Sequence, residues 1–196
     1  MRRGASARPV ASTRERILDA AIRRFSQHSY EQTGLRDIAG DVGVDVAYVH
    51  RSFGSKERLF AEAIRATVGS DRSLFDGPPA ALAGALARQA LARTGRRPHG
   101  RARPLDIAIH SLSSPKAAAI LRDNIRDDFI TPLSGRLEKP ADARAALIVA
   151  LLTGIGILKD VLELEPLRDA AGGELEGLVA RAITEFLSGT FEPRQT

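Results

Sequence analysis

Side chains able to carry catalysis or hold a metal are few in this sequence and poorly placed for either. The four histidines, His28, His50, His99 and His110, show no H-x3-H spacing that would put two imidazoles on one helical face. Cysteine is absent, which removes a thiolate zinc site, a cysteine nucleophile and a disulfide framework, and fits a cytoplasmic, reducing location. Gly154-Ile155-Gly156 lies inside an apolar run, not between a strand and a helix, so it is no dinucleotide loop. There is no G-x4-G-K-[ST] phosphate loop either. The pair Asp127-Asp128 reads as an exposed helix face more simply than as an acid-base dyad. No catalytic residue, metal site or cofactor is expected, and the chain reads as a binding protein, not an enzyme.

The segment Arg36-Asp37-Ile38-Ala39-Gly40-Asp41-Val42-Gly43-Val44-Asp45-Val46-Ala47-Tyr48-Val49 has a spacing that could read DNA. Ala39 is small enough to let two helices cross closely, and Gly43 can adopt the left-handed conformation of a short turn without strain. Val44 and Val49 would hold the second helix against the first. Asp45 sits where an N-cap would accept the free N–H groups of that helix, stabilising it by roughly 1 kcal/mol and complementing its dipole. With Val49 and Phe53 turned inward, Ala47, Tyr48, His50 and Arg51 fall on the opposite side, with Val46 at the helix start, available to a major groove. A helical hairpin within a core has the same spacing, so the flanking elements must decide.

Those flanks are helical throughout, with no run of strand alternation, and predict an all-α chain. Ser12 or Thr13 can cap a first helix carrying Ile17, Leu18, Ala21, Ile22 and Phe25, ending near His28 and Ser29. Short helices are expected over 35–41 and 46–53, and a fourth over 56–68 with Leu59, Phe60, Ala63 and Ile64 on one face. Gly69, Ser70, Asp71, Gly77, Pro78 and Pro79 then supply a boundary. Beyond it, helices are expected over 80–94, 105–112, 115–137, 141–164 and 174–188. Ser114 caps a helix with proline at its first position, and Pro132 should kink or shorten the same helix. The organisation is thus a basic arm over 1–11, a helix-turn-helix domain over 12–68 and a helical domain over 69–196.

Read as a whole, residues 13 to 64 resemble the tetracycline-repressor (TetR) family of regulators. The likeness rests on Ile17-Leu18-Asp19-Ala20-Ala21, Phe25, Tyr30, Thr33, Arg36-Asp37-Ile38-Ala39, Gly43-Val44, Phe53-Gly54-Ser55-Lys56-Glu57 and Leu59-Phe60. The resemblance implies three DNA-binding helices with the third in the major groove of double-stranded operator DNA. It also implies a larger helical domain that forms a homodimer through its last two long helices, and a small-molecule effector that alters the spacing of the two reading heads. Repression is the family's usual mode. By position, Tyr48 and Ala47 would face bases, Thr33 and Arg36 the DNA backbone, and Lys56 a phosphate. The chain departs from the family in placing His50 where tyrosine is usual, Ser52 where histidine is common, and Gly34 where serine or threonine often caps the second helix, leaving Thr33 as the alternative cap.

The formal charge of +5 suits a polyanionic partner. Arg2, Arg3 and Arg8 in the arm, and five arginines between Arg93 and Arg103, are either further DNA contacts or solvated charge. The apolar run from Ala145 to Leu158 has fourteen residues, short of the ~20 that span a bilayer, and predicts a buried helix and no membrane partner. Leu147, Ile148, Leu151, Leu152, Ile155 and Leu158 on one helix, and Leu175, Leu178, Val179, Ala182, Ile183, Phe186 and Leu187 on another, exceed what one surface needs to cover. Gly154 and Gly156 would permit close helix approach, across a dimer or within one subunit. A cavity between the middle helices is expected to draw its walls from Leu86, Ile109, Leu121, Ile125, Phe129 and Leu152, with His110, Asn124 or Thr153 as polar groups, and to suit a largely hydrophobic ligand. A non-specific DNA-coating protein and, behind it, a helical enzyme remain the competing readings.

Overall fold

A computed structural model describes residues 11–68, 78–92, 103–168 and 173–189. Within them the chain is helical, with no strand. The arm residues 1–10 and residues 93–102 lie outside the described residues.

The first helix, α1 (Thr13–Gln27), opens on a capping box. The Ser12 hydroxyl accepts the Glu15 N–H at 3.2 Å, while the Glu15 carboxylate accepts the Ser12 N–H at 2.7 Å. Its apolar face buries Ile17, Ala20, Ala21 and Phe25. Three more helices pack on it, α2 (Leu35–Val42), α3 (Val46–Phe53) and α4 (Lys56–Val68). Phe60 of α4 meets Phe25 edge-on at 4.9 Å and Tyr30 at 5.0 Å between ring centroids, a favourable aromatic geometry that fixes α4 across α1.

Two more helices follow, α5 (Pro79–Leu91) and α6 (Pro104–Ser111). The next, α7 (Pro115–Ile125), is capped by Ser114, whose hydroxyl accepts the Ala117 N–H at 3.3 Å. Pro132 does not end it. The helix widens into a π turn over Arg126–Ile130, where the Thr131 N–H reaches back to the Arg126 carbonyl, and resumes as α8 (Thr131–Ser134). A proline lacks the N–H for the usual bond and its ring crowds the preceding turn, and one wide turn relieves both.

The most apolar helix, α9 (Ala141–Gly156), likewise runs on through a π turn, Ile157–Val161. Its continuous length is therefore greater than the fourteen-residue apolar run. Over Ala141–Val161 it has 21 residues, with an 18-residue window of mean hydropathy 1.8, long and apolar enough by composition to cross a bilayer, and only 28% of that window is buried within the chain. A short α10 (Glu165–Arg168), which the sequence pattern did not announce, precedes α11 (Glu174–Ser188).

Two cores result. One joins α1 to α4 with Ile107, Ala117 and Leu121 of α6 and α7; the other joins α5, α8, α9 and α11 through Leu82, Leu86, Leu133, Ile148, Val179 and Ile183. Gly156 lets α9 approach α6, since a Cβ there would lie 2.8 Å from a Leu105 methyl. No described atom approaches the Cβ position of Gly154.

Two buried cations serve as helix caps. The Arg144 guanidinium donates to the carbonyls of Phe186, Leu187 and Glu138 at 2.7, 2.5 and 2.9 Å, closing the end of α11. Lys159 donates to the Ala92 carbonyl at 2.7 Å, and Arg103 to the Asp160 carbonyl. Arg103 also pairs with Asp106 at 3.1 Å, so this arginine is engaged within the fold and not held out toward DNA.

Arg144→Leu should lower unfolding stability by about 3 kcal/mol, because charged donors are lost and carbonyls are stranded. A urea melt should show the midpoint falling with its slope retained.

Candidate nucleic-acid interface and effector cavity

An eight-residue helix is too short to persist alone in water, so α3 is held by its ends and by one face. Gly43 adopts φ 74°, a left-handed turn in which a side chain would be strained. The Asp45 carboxylate accepts the Ala47 N–H at 2.7 Å, capping α3. At the other end Gly54 takes φ 81°. Val49 and Phe53 are buried, and the Arg14 guanidinium lies 4.5 Å from the Phe53 ring centroid. Val44 and Val46 pack against the same core, partly buried.

The partner helix α2 is set by charge. Arg24 grips Asp41 with two bonds, at 2.6 and 2.7 Å, and Arg16 donates to the Val42 carbonyl at 2.8 Å. The Arg24 guanidinium holds the Asp41 carboxyl below the usual carboxylate range, and Asp41 in turn raises the arginine. The α2 start has no side-chain cap from Gly34 or Thr33; the Asp37 carboxylate accepts the Gly34 N–H at 2.9 Å instead.

With α3 so fixed, Asp45, Ala47, Tyr48, His50 and Arg51 are exposed, and Arg36 of α2 is exposed too. Arg51 lies 5.7 Å from the Tyr48 ring centroid, a cation-π approach that keeps both side chains on the outer face. His50 Nδ1 is 3.2 Å from the Gly54 carbonyl. With its proton there, the ring donates to that carbonyl and leaves Nε2 as an outward acceptor. Lys56 is half-buried with Nζ 4.1 Å from the Tyr30 ring centroid. Burial pushes its amine down, nearby Glu31 and Glu57 oppose this, and Lys116 adds to it.

Thr33 does not share this surface. It is 1% exposed, with its hydroxyl donating to the Ser29 carbonyl at 3.1 Å, because the turn after α1 folds it inward behind Tyr30. Sequence reasoning passed over Arg58, which is exposed and rests against Gly54 at the end of α3. It also passed over Glu31, which accepts the Ser114 hydroxyl at 2.6 Å and ties the turn before α2 to the start of α7. A cation two residues after Lys56 was a visible signal for the first; nothing local signals the second.

A cavity of about 310 Å³ lies between α4, α5, α6, α7 and α9. Leu86, Leu121, Asn124, Ile125, Phe129, Leu152 and Thr153 line it. Ile109 and His110 do not: both are on the exposed face of α6, which turns Leu105 and Ala108 to the cavity instead. Ile64, Arg65 and Val68 of α4, with Asp128 of the first π turn, also line it. Arg65 and Asp128 pair at 3.1 Å.

Two family models match the chain, "Bacterial regulatory proteins, tetR family" over residues 17–63 and "Tetracyclin repressor-like, C-terminal domain" over residues 80–187. The HTH-type transcriptional regulator BetI of Agrobacterium fabrum is 40% identical over 52 residues, 26% of this chain and about a quarter of that relative's length. Among solved structures, NalD, the secondary repressor of the MexAB-OprM multidrug efflux pump in Pseudomonas aeruginosa, superposes with TM-score 0.65 at 21% identity, covering 86% of this chain and 94% of that one. The multidrug binding protein EbrR complexed with ethidium gives 0.61 at 22%, covering 89% and 97%. A TetR-family regulator from Streptomyces coelicolor gives 0.59 at 24%, covering 89% and 94%.

Replacing Asp45 separates its two physical effects. Asp45→Ala should cost about 1 kcal/mol of stability through the lost cap, whereas Asp45→Asn should keep the melt unchanged and tighten binding to random duplex by removing a negative charge near phosphates. Thermal unfolding alongside fluorescence anisotropy reads both.

Proposed function

Because the chain belongs to the TetR family of DNA-binding transcriptional regulators, we propose that it is a cytoplasmic homodimeric repressor whose α3 reads a palindromic operator and which a small, largely hydrophobic molecule in the cavity releases. The observation that carries this reading is the double use of α4. Its Leu59, Phe60 and Ala63 belong to the core of the reading head, and its Ile64, Arg65 and Val68 form one wall of the cavity. A ligand that moves that wall moves the head.

In this reading residues 12–68 form the head and 69–196 the effector and dimer domain. Ala47, Tyr48, His50 and Arg51 meet base edges, with Asp45 and Val46 at the helix start, while Arg36 and Lys56 meet the backbone. The dimer forms through α9 and α11. Leu147, Leu158 and Leu178 are 50%, 39% and 49% exposed, and the small fraction of α9 buried within one chain is what a helix shared between two subunits would leave. Covering that face in a second copy needs no membrane. The ligand is apolar because most of the cavity wall is, and NalD and EbrR are described as a repressor of a multidrug pump and a multidrug binding protein, respectively.

Selection of bound fragments from a random DNA library should return one inverted repeat, bound by a dimer and retained against excess random duplex by a factor of about 10³ or more. A protein that coats DNA without preference would lose both duplexes equally, which would overturn the reading. On the selected operator, Lys56→Ala should weaken binding to every sequence and flatten the salt dependence, whereas Tyr48→Ala should change base preference. A Tyr48→Ala variant with unaltered affinity and preference would place the reading helix elsewhere.

A further inference from the structure

His50 sits on the outer face of α3 with one of its two ring nitrogens committed to the backbone. Gly54, which ends the helix, takes φ 81° and ψ −61°, and the Ser55 N–H closes onto the Phe53 carbonyl at 3.0 Å. That is a γ-turn, a backbone shape strained for any residue with a side chain. In a continuing helix the Gly54 carbonyl would point on along the axis, away from residue 50. Here it comes back to 3.2 Å from His50 Nδ1, while the Gly54 N–H donates to the His50 carbonyl at 2.7 Å. A carbonyl oxygen can only accept, so the nitrogen facing it carries the proton. The neutral ring is thereby held as one tautomer, with a lone pair on Nε2 at its outer edge.

We propose that His50 selects the base at one position of each operator half-site, admitting cytosine or adenine when its ring is neutral and guanine when its ring is protonated. The proposal rests on α3 lying in the major groove with His50 at a base edge. There cytosine N4 and adenine N6 are donors, matched to a bare Nε2. Guanine offers only the acceptors N7 and O6, and thymine only O4 beside its methyl group. An acceptor set against acceptors is left unpaired, which costs binding. Protonation leaves the bond to Gly54 in place, since Nδ1–H is a donor in both forms, and turns Nε2 from acceptor into donor. The same ring in the same place then suits guanine, whose two adjacent acceptors outmatch the single one of thymine.

No neighbouring carboxylate claims the ring. On α3 itself, Asp45 is committed to the Ala47 N–H and Arg51 lies against Tyr48. From α1, Arg14 pairs with Glu62 of α4, and Arg16 holds the Val42 carbonyl. From α2, Asp41 is bound by Arg24, Asp37 takes the Gly34 N–H, and Arg36 is exposed. From α4, Lys56 lies over Tyr30 and Arg58 rests against Gly54, while the Glu57 carboxyl is kept below its usual range by its own N–H and the Ser55 hydroxyl. Among the described residues the bond to Gly54 is what orients the imidazole. Its charge is left to pH and to the base it meets, and an imidazole ordinarily changes charge between about pH 5 and 8.

Selection from a random DNA library with the full chain, at about pH 8 and again at about pH 5.5, tests this across the imidazole's ordinary titration. At the higher pH one position in each half-site should hold cytosine or adenine, and at the lower pH that position should turn to guanine while the others stay. On duplexes differing only there, the amino-bearing base should be favoured about tenfold at the higher pH and disfavoured about tenfold at the lower. His50→Gln carries a donor and an acceptor at both pH values, so its base preference should not move between them. Nitrogen-15 spectra of the protein without DNA should show His50, identified by its loss in that variant, with its proton on Nδ1. The reverse order of bases, the absence of any position that moves with pH, an equal movement in His50→Gln, or a proton on Nε2 would each overturn the proposal, and α3 would remain the reading helix as long as Tyr48→Ala still changes base preference. Should neither Tyr48→Ala nor His50→Gln alter any preference, the reading of α3 falls, and this proposal with it.

Discussion

A two-turn helix cannot hold its own shape, and the outer face of α3 is useful only if that shape is constant. Val49 and Phe53, buried in the first core, supply the constraint: they set the rotation of α3 about its axis, and with it the direction of Tyr48 and Arg51. The left-handed residues at Gly43 and Gly54 end the chain's helical course on either side, so the register cannot slide. The capping carboxylate of Asp45 and the ring of Phe53 beneath Arg14 then hold the two ends. Everything outward on α3 inherits its position from these inward contacts.

The first core does not stop at α4. Ile107, Ala117 and Leu121 belong to it, and Leu121 also faces the cavity. The bond from Ser114 to Glu31 adds a polar tie at the head's other flank. The core of α1 to α4 and the cavity are therefore neighbours through shared side chains, and a packed core transmits displacement because it has few voids in which to lose it.

Where local chemistry decides, the sequence was legible. The limits of α3, α4 and α11 coincide with those read from caps and apolar spacing, since Asp45, Gly54 and Gly173 act within a turn of their own position. The all-helical class was legible for the same reason. Thr33 was not: its burial depends on Tyr30 meeting Phe60 thirty residues further along the chain. Pro132 announced a disturbance but not its form, because a kink, a stop and a π turn all answer the same missing N–H. Ile109 and His110 lie one helical face away from the cavity, because α6 commits Ile107 to the first core and turns Leu105 and Ala108 to the cavity, long-range contacts that the local pattern does not carry. Arg65 and Asp128 meet across 63 residues, a separation at which periodicity is silent.

The clamp formed by Lys159 and Arg103 has a consequence for how α5 and α6 are held. Lys159 and Asp160, successive residues of one turn, reach Ala92 at the end of α5 on one side and Arg103 at the start of α6 on the other. The two helices therefore keep their mutual position by being fastened to the same π turn, and a shift of that turn would carry both of them together.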